Sequence, residues 1–171
     1  WLSDIGEWVW YTDDEQRRRF LGSIATGGRG TLALADATGA WDPSNPPITA
    51  ESTGDGWRLD GRASFVLDAD RVEEIAVVAA TADGPIVAVV PAGDLSVTRE
   101  AALDPTMHVC TVDATGVVVP DDRVLALDDP AATLGRALDA AVTGLAIVAV
   151  GACQRAFEMA VDYSKERHQF G

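Results

Sequence analysis

Few residues in this chain are equipped for chemistry, and their spacing limits what each can do. His108 and Cys110 stand two apart in a β-branched run, so on a strand both point to one face and a thiolate–imidazole pair is geometrically possible. No third group is placed to orient the histidine, and two half-buried strand residues is the plainer reading. His168 follows Lys165, Glu166 and Arg167 at the end of a helical pattern, where the helix dipole favours a cation. The acidic pairs Asp13–Asp14, Glu73–Glu74, Asp121–Asp122 and Asp128–Asp129 fall at turns or element starts, which suits caps better than metal ligands or an acid–base dyad. No GxSxG, HExxH, Walker A or GxGxxG motif occurs, so no nucleophile, base or metal set stands out. The loop Asp36–Asp42 is of more interest. Its Gly39 follows a short apolar run, and such a turn can present backbone N–H groups to a phosphate or to the polar edge of a flat ring.

Four zones must position these groups. Trp1 to Asp14 is aromatic and irregular, with Trp1, Trp8 and Trp10, a concentration that suits packing against a further domain or a partner chain. Asp13 to Ala25 predicts a helix, capped by Thr12 or Asp13 and stopped by Gly27–Gly28. From Gly30 to about Leu127 short β-branched runs alternate with turn signals. They are Thr31–Ala35, Gly56–Gly61, Ala63–Leu67, Glu74–Ala80, Pro85–Val90, Leu95–Arg99, His108–Val112 and Gly116–Val119. Asp60–Gly61 reads as a hairpin turn between two of them, Asp83–Gly84 as another, and Ser44–Pro47 as a rigid loop. From Ala131 to about Arg167 there is no proline and much alanine and leucine, which predicts one long helix. Its apolar stretch, Ala140–Cys153, is short for a bilayer span and rich in Ala and Gly, so a helix inside a bundle is expected and a membrane span is not.

Composition excludes several function classes. The 171 residues carry a net charge of −14, with 47% hydrophobic residues, a globular balance without the basic patch that nucleic acid or an anionic membrane requires. Two distant cysteines make no disulfide framework, and no basic segment leads into an apolar one at the start, so a cytoplasmic setting is expected. There is no initiator Met and no terminating element at Gly171, so both ends read as cut.

Four segments in order resemble the acyl-CoA dehydrogenase family. Asp14–Leu34 is similar to the family's helix leading into the first strand of its middle domain. Ala33–Asp42 stands where the family has A-L-T-E-P-x-A-G-S-D, and Gly56–Asp68 where it has G-(Y/W)-x-L-(N/D)-G-x-K-x-(W/F)-I-T-N. Val117–Leu125, Gly151–Phe157 and Tyr163–Gly171 look like V-x-V-P-x-x-x-(L/V)-L, G-x-x-x-R-A-(L/F) and Y-x-x-x-R-x-Q-F-G. The resemblance implies an α+β multi-domain protein. An antiparallel β-barrel middle domain (30–128) would be flanked by the end of an N-terminal helical domain (1–29) and the start of a C-terminal helical bundle (129–171).

The same resemblance implies FAD as cofactor, α,β-dehydrogenation of an acyl-CoA thioester, and electrons passed to an electron-transfer flavoprotein, as in fatty acid β-oxidation and lipid metabolism. Leu34, Ala35, Gly39, Ala40 and Trp41 would face the flavin and the thioester, with Phe65 and Leu67 against the ring. Arg167, Gln169 and Phe170 would reach the ADP half of FAD on a neighbouring subunit, so a homodimer or homotetramer is implied. Trp41 and Asp139 would meet the substrate. The catalytic base would lie beyond Gly171, and no metal is implied.

The departures from the pattern are specific. Ala35 replaces the motif's threonine, Asp36–Ala37 its Glu-Pro, Trp41 its serine and Leu67 a second threonine, so three side-chain hydroxyls are lost. Val142 stands on the family's arginine that meets the CoA arm. These losses motivate two further readings: a non-catalytic subunit of a heterotetramer with a second dehydrogenase subunit, or an acyl-CoA-like binding protein without redox activity.

Overall fold

A computed structural model describes residues 13–169, so the aromatic zone with Trp1, Trp8 and Trp10 lies outside the described residues, as does Phe170. The chain divides into two compact units, one ending at Ala137 and the other starting at Leu138.

Helix α1 (Asp14–Ala25) begins where the Asp13 carboxylate accepts the N–H groups of Glu15 and Gln16 at 2.9 and 2.8 Å, with Asp14 and Glu15 in the first turn complementing the dipole. It ends where Gly27 turns to φ +100° and the Gly28 N–H reaches back to the Ser23 carbonyl at 2.8 Å. Its buried Gln16 is satisfied at both ends: Nε2 donates to Val124 O (2.7 Å), and Oε1 accepts the Ala126 N–H (2.9 Å). That ties the helix to the chain leaving the sheet.

Eight strands follow: β1 (Gly30–Ala33), β2 (Ile48–Ser52), β3 (Trp57–Leu67), β4 (Glu74–Thr81), β5 (Gly84–Pro91), β6 (Ser96–Arg99), β7 (Val109–Asp113) and β8 (Val117–Val119). They form a sheet ordered β1-β4-β2-β3-β7-β6, with β5 beside β4 and β8 beside β3. The antiparallel barrel implied by the resemblance is corrected here to a mixed sheet. β1 runs parallel to β4, and β2 meets β4 in parallel through Thr49 and Ala80. Parallel neighbours need long connections, and here β2 and β3 intervene in the chain between β1 and β4, and β3 between β2 and β4. β4 and β5 carry near-continuous apolar runs because both of their faces are covered, and Ile75, Val77, Val78, Val87 and Val89 are almost wholly buried. The hairpin between them turns at Ala82–Asp83, with Thr81 paired to Gly84.

The expected hairpin at Asp60–Gly61 does not form. β3 runs straight through, eleven residues long, and serves two sets of neighbours. Trp57–Gly61 pairs with β2, and Trp57–Leu59 also pairs with β8 on the other side; Arg62–Leu67 pairs with β7. Gly61 permits this because it sits at φ +134°, where a Cβ would come within 2.5 Å of the Pro47 carbonyl oxygen. The partner strand β2 has too few alternating apolar residues to stand out from the sequence, and it owes its form to pairing with β3.

Helix α2 (Pro130–Glu166) opens on Asp129, whose carboxylate accepts the Ala132 N–H at 2.9 Å. Its first turns bury Thr133, Leu134 and Ala137. Beyond them it exposes Val142, Ile147, Val148, Val150, Phe157 and Met159. The helix extends well past Ala140–Cys153 and, by length and composition only, is long and apolar enough to cross a membrane. Its charge-free run, Ala140 to Gln154, is nevertheless shorter than the ~20 residues a span takes.

Two predictions follow from this packing. Gly61→Ala should lower stability of the full protein by about 3 kcal/mol, because it adds a backbone clash to the φ penalty. Gly84→Ala, at φ +122° but with open space around it, should cost only about 1 kcal/mol; urea midpoints compare the two. The second concerns Asp113, whose carboxyl is held down to about 2 by hydrogen bonds from Thr115 and then from Arg62 (2.7 Å). Its contribution is full above the unfolded carboxyl pKa of 3.8 and fades as pH falls towards 2. The stability gap between wild type and Asp113→Asn, below ~1 kcal/mol for so exposed a pair, should therefore shrink over that window and stay constant above it.

Candidate functional site

Two segments of the first unit come together at the surface: the loop after β1 and the second half of β3. They are stitched by the Ser64 N–H, which donates to the Ala35 carbonyl at 2.8 Å. β3 carries an irregularity here. Its register with β7 shifts between Ala63 and Val66, both of which point into the core although they are three residues apart. Since side chains alternate with period two, an extra residue has been absorbed, and this β-bulge expels Phe65. The Phe65 ring is 50% exposed. Its φ is +54°, as is that of Asp68, a conformation costing roughly 1–2 kcal/mol for each residue with a Cβ.

The Phe65 ring lies against the turn at Gly39. A Cβ on Gly39, itself at φ +83°, would touch the ring at 3.7 Å. Ala40 and Trp41 follow on the same exposed loop, with Trp41 40% exposed. Leu34 and Ala35 are buried, so they form the floor beneath this surface and neither side chain is open to a ligand in the unit taken by itself. Leu67 is partly buried at the end of β3.

The loop's amides are engaged differently from the sequence reading. The Asp36 carboxylate accepts the Thr38 N–H (2.7 Å), the Thr38 hydroxyl (2.7 Å) and the Ala40 N–H (3.0 Å), and the Gly39 N–H donates to the Asp36 carbonyl (3.0 Å). These bonds, the Thr38 hydroxyl first, hold the Asp36 carboxyl below its usual range. The N–H groups proposed as a cradle for an external anion thus already hold an internal one.

The second unit carries the other candidates. Arg167 is exposed; its Nη1 donates to the Tyr163 hydroxyl at 2.6 Å, and its guanidinium stacks 5.3 Å from the centre of that ring. Asp139 and Gln169 are exposed as well.

His108 and Cys110 do not form a thiolate pair. Cys110 is fully buried, and burial pushes its thiol up, away from the reactive form. His108 turns instead to Asp70, its Nδ1 lying 2.9 and 3.1 Å from the two carboxylate oxygens. That hydrogen bond holds the Asp70 carboxyl below its usual range. Asp70 lies far from His108 in the chain, and no motif links them, so only the fold reveals the pair. The acidic pairs behave as caps and ion pairs: Asp13 and Asp129 cap helices, Glu74 meets Arg123 at 3.0 Å and Asp122 meets Arg19 at 2.7 Å.

Comparison with known proteins adds to this geometry. No family model matches the chain. The probable acyl-CoA dehydrogenase YngJ of Bacillus subtilis is 27% identical over 175 residues, 95% of this chain and 46% of that protein. The 3-sulfinopropanoyl-CoA desulfinase of Paraburkholderia xenovorans is 27% identical over 189 residues, 99% of this chain and 47% of that protein. The chain thus spans about half the length of the curated relatives it matches. In fold it is similar to a glutaryl-CoA dehydrogenase from Mycobacterium smegmatis solved in complex with FADH2, with a TM-score of 0.84 and 22% identity over 94% of this chain and 43% of that one. The motif order of the sequence, the mixed sheet and these relatives agree, and together they support the acyl-CoA dehydrogenase family for this chain over part of its relatives' length.

Proposed function

We propose that the protein containing this chain binds FAD at the Phe65–Gly39 surface and dehydrogenates an acyl-CoA thioester between its α and β carbons. The observation that carries the reading is Phe65, an aromatic ring expelled by a β-bulge and set beside a glycine turn. The flavin supplies the two-electron acceptor. The residues present fit the faces of a flat ring: Phe65 and Trp41 offer apolar, polarisable surface, and Gly39 leaves room for close approach. Burial of Leu34 and Ala35 beneath them gives the wall a rigid base.

The polar edge of the ring is served less well. Ala35, Trp41 and Leu67 bring no hydroxyl, and Asp36 uses the amides of Thr38 and Ala40. This specific shortage favours a second reading, a subunit that lends Arg167 and Gln169 to a partner's FAD while its own site stays non-catalytic. Both readings place α2 in a helical bundle and not in a membrane, since its exposed Val142–Val150 stretch is an apolar surface suited to neighbouring helices. They further propose residues 1–29 and 129–171 as parts of flanking helical domains, a base after Gly171, a cytoplasmic location, and an electron-transfer flavoprotein as acceptor of the electrons.

The full protein, purified and incubated with acyl-CoA thioesters, separates these readings. A yellow protein that bleaches by itself supports the dehydrogenase; bleaching only with a second polypeptide supports the lending subunit. A colourless protein, even when co-expressed with its neighbours, overturns both in favour of acyl-CoA binding without redox activity. Trp41→Ser, which trades an aromatic contact of ~1 kcal/mol for a hydroxyl, should change FAD retention by about fivefold or change the acyl preference; fluorescence of released flavin and the substrate profile report these, and no change in either removes Trp41 from the site.

A further inference from the structure

Phe65 and Asp68 are held at φ +54°, and β3 alone offers no reason for either to stay there. The bonds that hold the segment from below converge on one residue. The His108 carbonyl accepts the Asp68 N–H at 2.7 Å, and the His108 ring bonds the Asp70 carboxylate at 2.9 Å. With a carboxylate as partner, Nδ1 carries the proton and donates. The Arg71 N–H closes the turn on the Asp68 carbonyl at 2.8 Å. His108 is only 6% exposed and immediately precedes β7, where the buried Cys110 pairs with Val66, the first residue after the bulge. Both backbone and side chain of His108 thus grip the stretch that leaves the bulge, at positions 68 and 70.

We infer that the Asp70–His108 pair is a positioning device: it clamps 68–70 to the start of β7, and so holds Phe65 and Asp68 left-handed and the Phe65 ring against the Gly39 turn. The clamp stands on the bonds just given. Only its consequence for a ligand rests on the proposed flavin site. An ordinary ion pair would add a little stability to the whole unit. A clamp loosens one segment when it is removed, because local opening draws on local bonds.

The test uses the full protein and amide hydrogen exchange. Asp70→Ala should speed exchange at Asp68 by about tenfold or more, while amides of the β4–β5 hairpin stay as in wild type. Asp70→Asn keeps an oxygen acceptor for Nδ1–H and should restore most of the protection. His108→Gln keeps the backbone carbonyl but removes the ring, and should match Asp70→Ala; it serves if that variant does not fold. Asp122→Asn, which removes the ion pair with Arg19 elsewhere in the unit, is the control and should leave Asp68 unchanged. Unchanged exchange at Asp68 in Asp70→Ala or His108→Gln overturns the inference, as does an equal rise in Asp122→Asn. In the FAD-loaded protein, Asp70→Ala should also shift the visible flavin envelope and weaken FAD by about fivefold, as for loss of one aromatic contact. If wild type takes up no FAD, the functional reading fails, and the exchange result still decides the clamp.

Discussion

The structure depends on one strand doing two jobs. β3 joins β2 and β8 with its first half and β7 with its second, so three strands are arranged around a single extended segment. Two local features allow it. Gly61 lets the backbone pass the Pro47 carbonyl where any Cβ would collide, and the bulge at Ser64–Phe65 lets the strand change phase without turning its apolar side outwards. Without the first the sheets do not share a strand, and without the second Val66 and Phe65 exchange places.

The bulge also links stability to function. Burial of Ala63, Val66, Cys110 and Val112 drives the pairing of β3 with β7. The residue squeezed out is a phenylalanine, a poor choice for plain solvent and a good one for a ring-binding wall. Packing of the core thereby sets the place of the candidate site, and the polar grip of His108 on Asp68 and Asp70 carries the local backbone cost.

Charge has been arranged with similar economy. A chain of net charge −14 has few cations to spare for the anionic ligands proposed for it. In the first unit Arg19, Arg29, Arg58, Arg62 and Arg123 each meet an acid of the same unit. Arg167 instead stacks on Tyr163, which orders its guanidinium without neutralising it.

Much of this was legible in the residues. Asp13 before an acidic first turn and Gly27–Gly28 after Ala25 mark α1, because caps are local chemistry. The β-branched runs of β4 and β5 and the proline-free stretch after Pro130 likewise announce their elements, and ordered motifs pointed to the family. Strand partners are a different matter. Asp60–Gly61 has the composition of a turn, yet it lies inside β3, because long-range pairing with β2 outweighs a two-residue preference. β2 and the parallel pairs of β4 were hidden for the same reason. By itself, then, the sequence determined the helices and most of the strands and carried the resemblance to the family, all properties of neighbouring residues. Only the tertiary structure decided the mixed sheet, the expulsion of Phe65, the capture of the loop amides by Asp36 and the meeting of Asp70 with His108, since each depends on residues brought together by packing and not by spacing.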